Sequence, residues 1–246
     1  MHILYINLDS RPDRRKNIEH QFHRHHLSAH RISAVTKRNV QDAQNRYPPP
    51  LQIDARIRTN LRLNSKTSSF DLDGWGAVAC FESHRKAWSY CLEQGWNSCW
   101  IFEDDALILK VEEIQVTPEL PLVWLGLRGN VQRQSEPGSP YPLLRYNRQC
   151  FGAHAYCIHA SLLQTLLWNT QVPMSLSVDY FILEYCFAYS IRAGIVDFCS
   201  TQEFLSFSDI EHFPLQQDTT KRNFFLLGLS LGLILMLFRY SFSFKI

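Results

Sequence analysis

The chain predicts an α/β domain in which helices flank a mainly parallel sheet. Two observations carry that expectation. A strand, a helix and a second strand follow one another at the start, the βαβ beginning of a parallel sheet. Further on, apolar runs of strand length alternate with stretches of helical spacing, and charged residues gather where the apolar runs stop. The bulk numbers agree: 246 residues, 46% hydrophobic and 20% charged, can bury a substantial core.

His2-Ile3-Leu4-Tyr5-Ile6-Asn7-Leu8 reads as a buried strand that runs into Asp9-Ser10-Arg11-Pro12-Asp13-Arg14-Arg15. Ser10 or Asp13 is positioned to cap the following helix, with Pro12 in its first turn. Ile18, Phe22 and His26 keep helical spacing behind a basic face, and residues 30–35 form the second strand. Residues 36–69 are polar, carry Pro48-Pro49-Pro50 and show no sustained period, which predicts a long loop with a short helix near 51–61. From Trp75 to Leu92 an amphipathic helix places Val78, Phe81, Trp88 and Leu92 on one face, and Gly95 follows its end. Residues 100–109 are a strand that carries acids, 122–126 and 152–158 are further strands, and 132–142 is a loop. Ser161 can cap a helix that ends at Trp168, Asp179 opens another that ends at Ala188, and 194–199 closes the sheet.

The acidic run is Glu103-Asp104-Asp105, set between Trp100-Ile101-Phe102 and Ala106-Leu107-Ile108-Leu109. Carboxylates buried against an apolar strand are costly without a cation or donors. The expectation is a strand ending at Phe102, with the acids emerging at a sheet edge. Extended backbone would send Glu103 and Asp105 to one side and Asp104 to the other. Hard oxygen ligands of this kind suit Mn²⁺ or Mg²⁺ beside substrate phosphates. A solvated acidic turn explains the same residues without a metal.

Other features exclude function classes. A net charge of +2 argues against nucleic-acid binding, although basic residues crowd the first helix. His23, His25 and His26 lack zinc-site spacing. Seven scattered cysteines without a CxxC pair argue against a zinc cluster and against a full disulfide framework. With the first strand starting almost at Met1 and no signal peptide read before it, the expectation is a catalytic domain on the cytoplasmic side. Two segments are expected, a catalytic domain over 1–215 and a hydrophobic segment over 216–246. Residues 224–238 carry no charge, and Lys221, Arg222, Arg239 and Lys245 bracket them. Membrane association is the favoured expectation and a buried core helix the alternative.

In this order the motifs resemble those of glycosyltransferase family 25, which includes lipooligosaccharide and collagen galactosyltransferases. The resemblance rests on residues 6–15, on Gly76-Ala77-Val78-Ala79-Cys80-Phe81-Glu82-Ser83-His84, and on Phe102-Glu103-Asp104-Asp105-Ala106. Tyr156 within 152–156, Asp179-Tyr180, Gln202 and Ser208-Asp209-Ile210 fit as well. It implies a GT-A-like (Rossmann-like) fold and inverting transfer of a hexose, most often galactose, from a UDP-sugar to a glycan or protein hydroxyl. It also implies Asp105 as first choice for the metal, with Glu103 and His212 as further ligands. Asn7, Asp9, Arg11, Arg14, Arg15, Ser83, His84, Glu103 and Asp104 become donor contacts. An inverting transfer needs a base for the acceptor proton, and Asp179, ahead of Glu184, is the candidate. Bland readings stand beside these: solvated arginines, a structural His84, and Asp179 as a plain helix cap. From other classes, a metal-dependent nucleotide or nucleotide-sugar hydrolase and a silent glycan-binding relative remain as alternatives.

Overall fold

The structure is a computed structural model that describes residues 1–42, 53–54, 72, 74–147, 149–171 and 174–201. The chain divides into units Met1–Ile210 and Glu211–Ile246. The expectations for Gln202, 208–210, His212 and 216–246, and for most of the 36–69 loop, lie outside the described residues. Among the described residues no helix is long and apolar enough to cross a membrane.

The first elements form as their sequence dictates. Strand β1 (Ile3–Asn7) leads into helix α1 (Pro12–Arg24) and then β2 (His30–Ser33). Helix α1 is capped by the backbone of Arg11, without a side-chain bond from Ser10 or Asp13, and Pro12 supplies the preset φ of its first turn. A short α2 (Lys37–Asp42) precedes the long α3 (Trp75–Glu93), which ends where Gly95 takes φ +68°. Then come β3 (Ser98–Glu103), β4 (Ala106–Ile108), β5 (Leu122–Trp124), β6 (Arg128–Gly129), β7 (Gln132–Gln134), β8 (Leu143–Arg145), β9 (Cys150–Phe151) and β10 (Ala155–His159). Helices α4 (Ala160–Asn169) and α5 (Val178–Ala188) follow, and β11 (Ala193–Ile195) and β12 (Cys199–Thr201) complete the described chain. The cap of α4 is His159, whose ring accepts from the Ser161 amide, so Ser161 lies inside the helix rather than before it.

Eight strands form one sheet in the order β2-β1-β3-β10-β5-β11-β8-β7. The α/β class stands, but the sheet is mixed rather than mainly parallel. Parallel pairs are β1–β2, β1–β3 and β5–β11, while β3–β10, β5–β10, β8–β11 and β7–β8 are antiparallel. Two of the antiparallel pairs come from β10, which inserts against the direction of its neighbours β3 and β5, and the other two from β8, which runs against β11 and β7. An apolar run of 152–158 announces a buried strand but not its sense. Of the residues expected to close the sheet, 194–195 lie inside it in β11, between β5 and β8, whereas Cys199 opens β12, which pairs with β4 in a separate ribbon; β6 pairs with β9 in another.

Alternation along the central strands builds two cores. Leu4, Ile6, Cys99, Ile101, Tyr156 and Ile158 face α3, α4 and α5. Ile3, Tyr5, Trp100, Phe102, Ala155 and Cys157 face Ile18 and Phe22 of α1. Burial on both faces is why these strands read as continuous apolar runs. On the α1 side the Gln21 amide donates to the Ala106 carbonyl (3.1 Å) and accepts from the Ile108 amide (2.8 Å), which fixes β4 against the helix. All seven cysteines are unpaired, and six are buried.

Candidate active site

Two parallel neighbours end at one edge. Register pairs Ile6 with Glu103 and Asn7 with Ser33, so β1, β3 and β2 deliver Asn7, Glu103 and Ser33 to the same carboxyl end of the sheet. There an α/β sheet meets its ligands. The strand runs one residue further than expected, to Glu103, and the acids do not continue it. Asp104 and Asp105 form the turn into β4, so simple alternation stops at Glu103.

Each acid meets a different environment. Asp104 turns to the α1 side and is buried, not solvated. Its carboxylate accepts from Asn7 Nδ2 (2.7 Å) and Arg14 Nη1 (3.2 Å). Asn7 also donates to the Arg11 carbonyl (3.1 Å) and accepts from Arg31 Nε (3.0 Å), so its amide is fully engaged within the protein. Burial and the Glu103 charge push the Asp104 carboxyl above the usual range, against the pull of Asn7 and Arg14.

Glu103 keeps the parity of Cys99 and Ile101 and therefore faces α3. Its Oε1 lies 3.0 Å from His84 Nε2, while His84 Nδ1 lies 2.8 Å from the Tyr156 hydroxyl. Trp88 Nε1 donates to that hydroxyl at 2.8 Å. His84 has no exposed surface, so any influence it has on a ligand passes through Glu103. Burial works against the Glu103 carboxylate, but the hydrogen bond from His84, with His154 and Arg14, holds its pKa below the ordinary value. Cys80 Sγ sits 3.9 Å from the same oxygen. Burial, then the charges of Glu103, Asp179 and Asp105, raise the Cys80 thiol well above its usual range and keep it protonated.

Asp105 has no such support. Its Oδ1 is buried without a hydrogen-bond partner. Burial first, then the charges of Glu103 and Asp104, push its carboxyl up to about 7 despite Arg14. A desolvated carboxylate oxygen beside two more carboxylates is an arrangement that a hard divalent cation would satisfy. Cys80, His84 and Glu103 also bring one ligand atom each within 4.8 Å of one another, a softer set. There, however, the thiol is protonated and both His84 ring nitrogens are already hydrogen-bonded.

The remaining sequence-read residues divide into those at this edge and those beside it. Asp9 lies at the edge, exposed, and accepts from Arg31 Nη2 and from Ser33 Oγ (2.9 Å). These partners hold its carboxyl below the usual range. Of the three arginines, Arg14 reaches the acids, Arg11 pairs with Asp13 at 2.8 Å and Arg15 with Glu19 at 2.9 Å. Ser83 is buried and ties helix to strand: it accepts from the Val35 amide (2.8 Å) and donates to the Ala79 carbonyl (2.7 Å). Asp179 comes near the cluster, as its charge on Cys80 shows. It is not the cap of α5, which is Ser177. Its carboxylate accepts from Ser177 Oγ (2.6 Å) and from the amide of Gly152 (2.9 Å), a residue at φ +113° that suits glycine. Glu184, five residues on, points elsewhere around α5 and accepts from Tyr146 (2.8 Å).

Three residues escaped the sequence reading. Arg31 braces Asn7 and Asp9. Cys80 lies against Glu103. His154 is buried beside Glu103, with neither ring nitrogen in a well-formed hydrogen bond, and burial lowers its pKa. Its backbone carbonyl accepts the Glu103 amide at 2.8 Å. Only the order of apolar strands, which sets β10 beside β3, could have signalled it.

The acids, Arg14, Asn7 and His84 all fall within the match to a family model, glycosyltransferase family 25 (LPS biosynthesis protein), over residues 1–118. No curated protein matches the chain. Asp179, Tyr156 and His154 lie beyond the matched residues. Over residues 1–118, just under half of its length, this chain is similar to glycosyltransferase family 25.

Proposed function

We propose that the protein is an inverting glycosyltransferase that moves a hexose, galactose first, from a UDP-sugar to a hydroxyl of a glycan or protein acceptor. The observation that carries the reading is the desolvated Asp105 carboxylate, whose Oδ1 has no hydrogen-bond partner, at the sheet edge beside Glu103 and Asp104. Mn²⁺ or Mg²⁺ fits Asp105 and Glu103, and when bound it would neutralise charge on the diphosphate leaving group. The family's tie to LPS biosynthesis favours a lipopolysaccharide-type glycan as acceptor. A GT-A-like architecture is part of the proposal, supported by parallel β1, β2 and β3 ending together where the charged residues collect.

The chain's own groups take the other parts. Arg14 holds Asp104, and Arg31 with Ser33 holds Asp9, so the edge presents fixed charges to a nucleotide. In this proposal Asp179, held by Gly152 and Ser177, is the base that accepts the acceptor's hydroxyl proton while that oxygen displaces UDP from the anomeric carbon. The hydrophobic residues of 216–246 are proposed to associate with a membrane surface, with the catalytic unit on its cytoplasmic side. Co-sedimentation of the full chain with liposomes decides that point, since protein left wholly in the supernatant would exclude it.

Release of UDP from each common UDP-sugar tests the function. The expected result is release with one hexose donor, dependent on Mn²⁺ or Mg²⁺, abolished by EDTA and accelerated by a glycan acceptor. Metal-dependent release that no acceptor accelerates would favour a nucleotide-sugar hydrolase instead.

A further inference from the structure

Beneath the proposed donor site runs a line of fully buried polar contacts that the acid edge does not itself require. Trp88, Tyr156 and His84 have no exposed surface, yet their polar atoms are linked in series to Glu103, whose side chain is 24% exposed. The direction of the series follows from donor chemistry. An indole N–H can only donate, so the Tyr156 oxygen accepts from Trp88 at 2.8 Å. The hydroxyl proton is then available to His84 Nδ1 at 2.8 Å, which leaves the ring proton on Nε2, 3.0 Å from Glu103 Oε1. Four side chains from α3, β10 and β3 thus share one polarity, and the series ends on a single carboxylate oxygen. Cys80 meets the same Oε1, so neither contact takes Oε2.

We infer that Trp88, Tyr156 and His84 are positioning residues, a hydrogen-bonded relay that fixes the rotamer of Glu103 so that its second oxygen is presented to the metal and diphosphate. The inference rests on the proposed donor-site role of Glu103. It assigns His84 a role behind the carboxylate instead of contact with the donor. The core alone does not call for such a series: a phenylalanine would fill the Tyr156 position without any polar atom, and a polar group buried at depth is favourable only when its partners are in place.

The test measures Mn²⁺ binding directly, by the electron paramagnetic resonance signal of free Mn²⁺, alongside turnover in the full-length protein. Loss of a residue that orients a ligating side chain weakens metal binding by about 10- to 100-fold. Tyr156→Phe and His84→Leu are expected to weaken Mn²⁺ binding within that range while kcat at saturating Mn²⁺ stays within a few-fold of wild type. His84→Gln, whose amide can stand in for the Nε2–H, is expected to restore most of the affinity. Merely structural side chains would lower melting temperature without that split between affinity and kcat and without that rescue. Unchanged Mn²⁺ affinity in Tyr156→Phe and His84→Leu, with weakened affinity in Glu103→Gln, would overturn the relay and leave the donor-site reading standing. Unchanged affinity in Glu103→Gln would overturn the reading beneath it. Loss of Mn²⁺ in Cys80→Ser, matched by His84→Gln, would make Cys80, His84 and Glu103 a ligand set and equally overturn the relay.

Discussion

Asp105→Asn is expected to abolish sugar transfer and, in metal-free protein at pH 8, to raise thermal stability. Both effects have one cause. The wild-type carboxyl sits at about 7 because burial and the charges of Glu103 and Asp104 oppose its ionisation. A carboxyl raised in the folded state favours folding fully below its unfolded pKa, and that contribution is lost as pH rises through the folded value. Asp105 by itself should therefore subtract about 1.4 kcal/mol of stability from metal-free wild type with each step of one in pH between about pH 4 and pH 7, a slope read as the difference between wild type and the variant. Asparagine carries no charge to desolvate, so the variant should melt roughly 5–10 °C above wild type at pH 8, with the gap closing near pH 4. Scanning calorimetry at both pH values reads this directly. On the proposed function the same carboxylate holds the cation at the leaving group, and its loss should lower kcat/KM by a factor on the order of 10²–10³. Added Mn²⁺ should raise the melting temperature of wild type and leave that of the variant unmoved. A variant that is no more stable than wild type at pH 8 would show that the three acids do not repel one another as the structure has them.

Asp179→Asn carries the second large effect. Removal of a general base costs about 10²–10⁴ in turnover. The asparagine oxygen can still accept from the Gly152 amide, so the junction between α5 and the residues before β10 should survive. The expected outcome is UDP binding and melting temperature near wild type, with transfer to the acceptor lost. Full transfer in this variant would remove Asp179 from the chemistry and leave it as the tie between Gly152 and Ser177.

The contrast between these two carboxylates shows what residue order conveys. Strand β1, helix α1, strand β2, helix α3 and strand β3 are legible because each buries a regular pattern: the strands pack on both faces and the helices repeat at three and four residues. Strand β10 is equally apolar, yet its antiparallel entry between β3 and β5 depends on the path of the chain, which a period of two does not encode. The same limit holds inside the site. Three adjacent acids point to an edge, but extending the strand through them set Glu103 and Asp105 together on one side and Asp104 on the other. The turn at Asp104-Asp105 ends that alternation. Asp104 enters the α1 side, where Asn7, 97 residues earlier, completes it. His84 and Tyr156 are likewise 72 residues apart, and only the register of β10 on β3 brings them to Glu103. Asn7 and Ser83 were legible as residues of interest, and the structure shows both amide and hydroxyl engaged within the protein.

The central claim is that Glu103 and Asp105, braced by Arg14 through Asp104, form a metal-dependent site for a nucleotide sugar. Calorimetric titration of UDP into the full-length protein, with and without Mn²⁺, tests it most directly. Saturable binding that requires Mn²⁺ and disappears in Asp105→Asn is the predicted result. UDP binding of equal strength without metal, or retained in the variant, would contradict it.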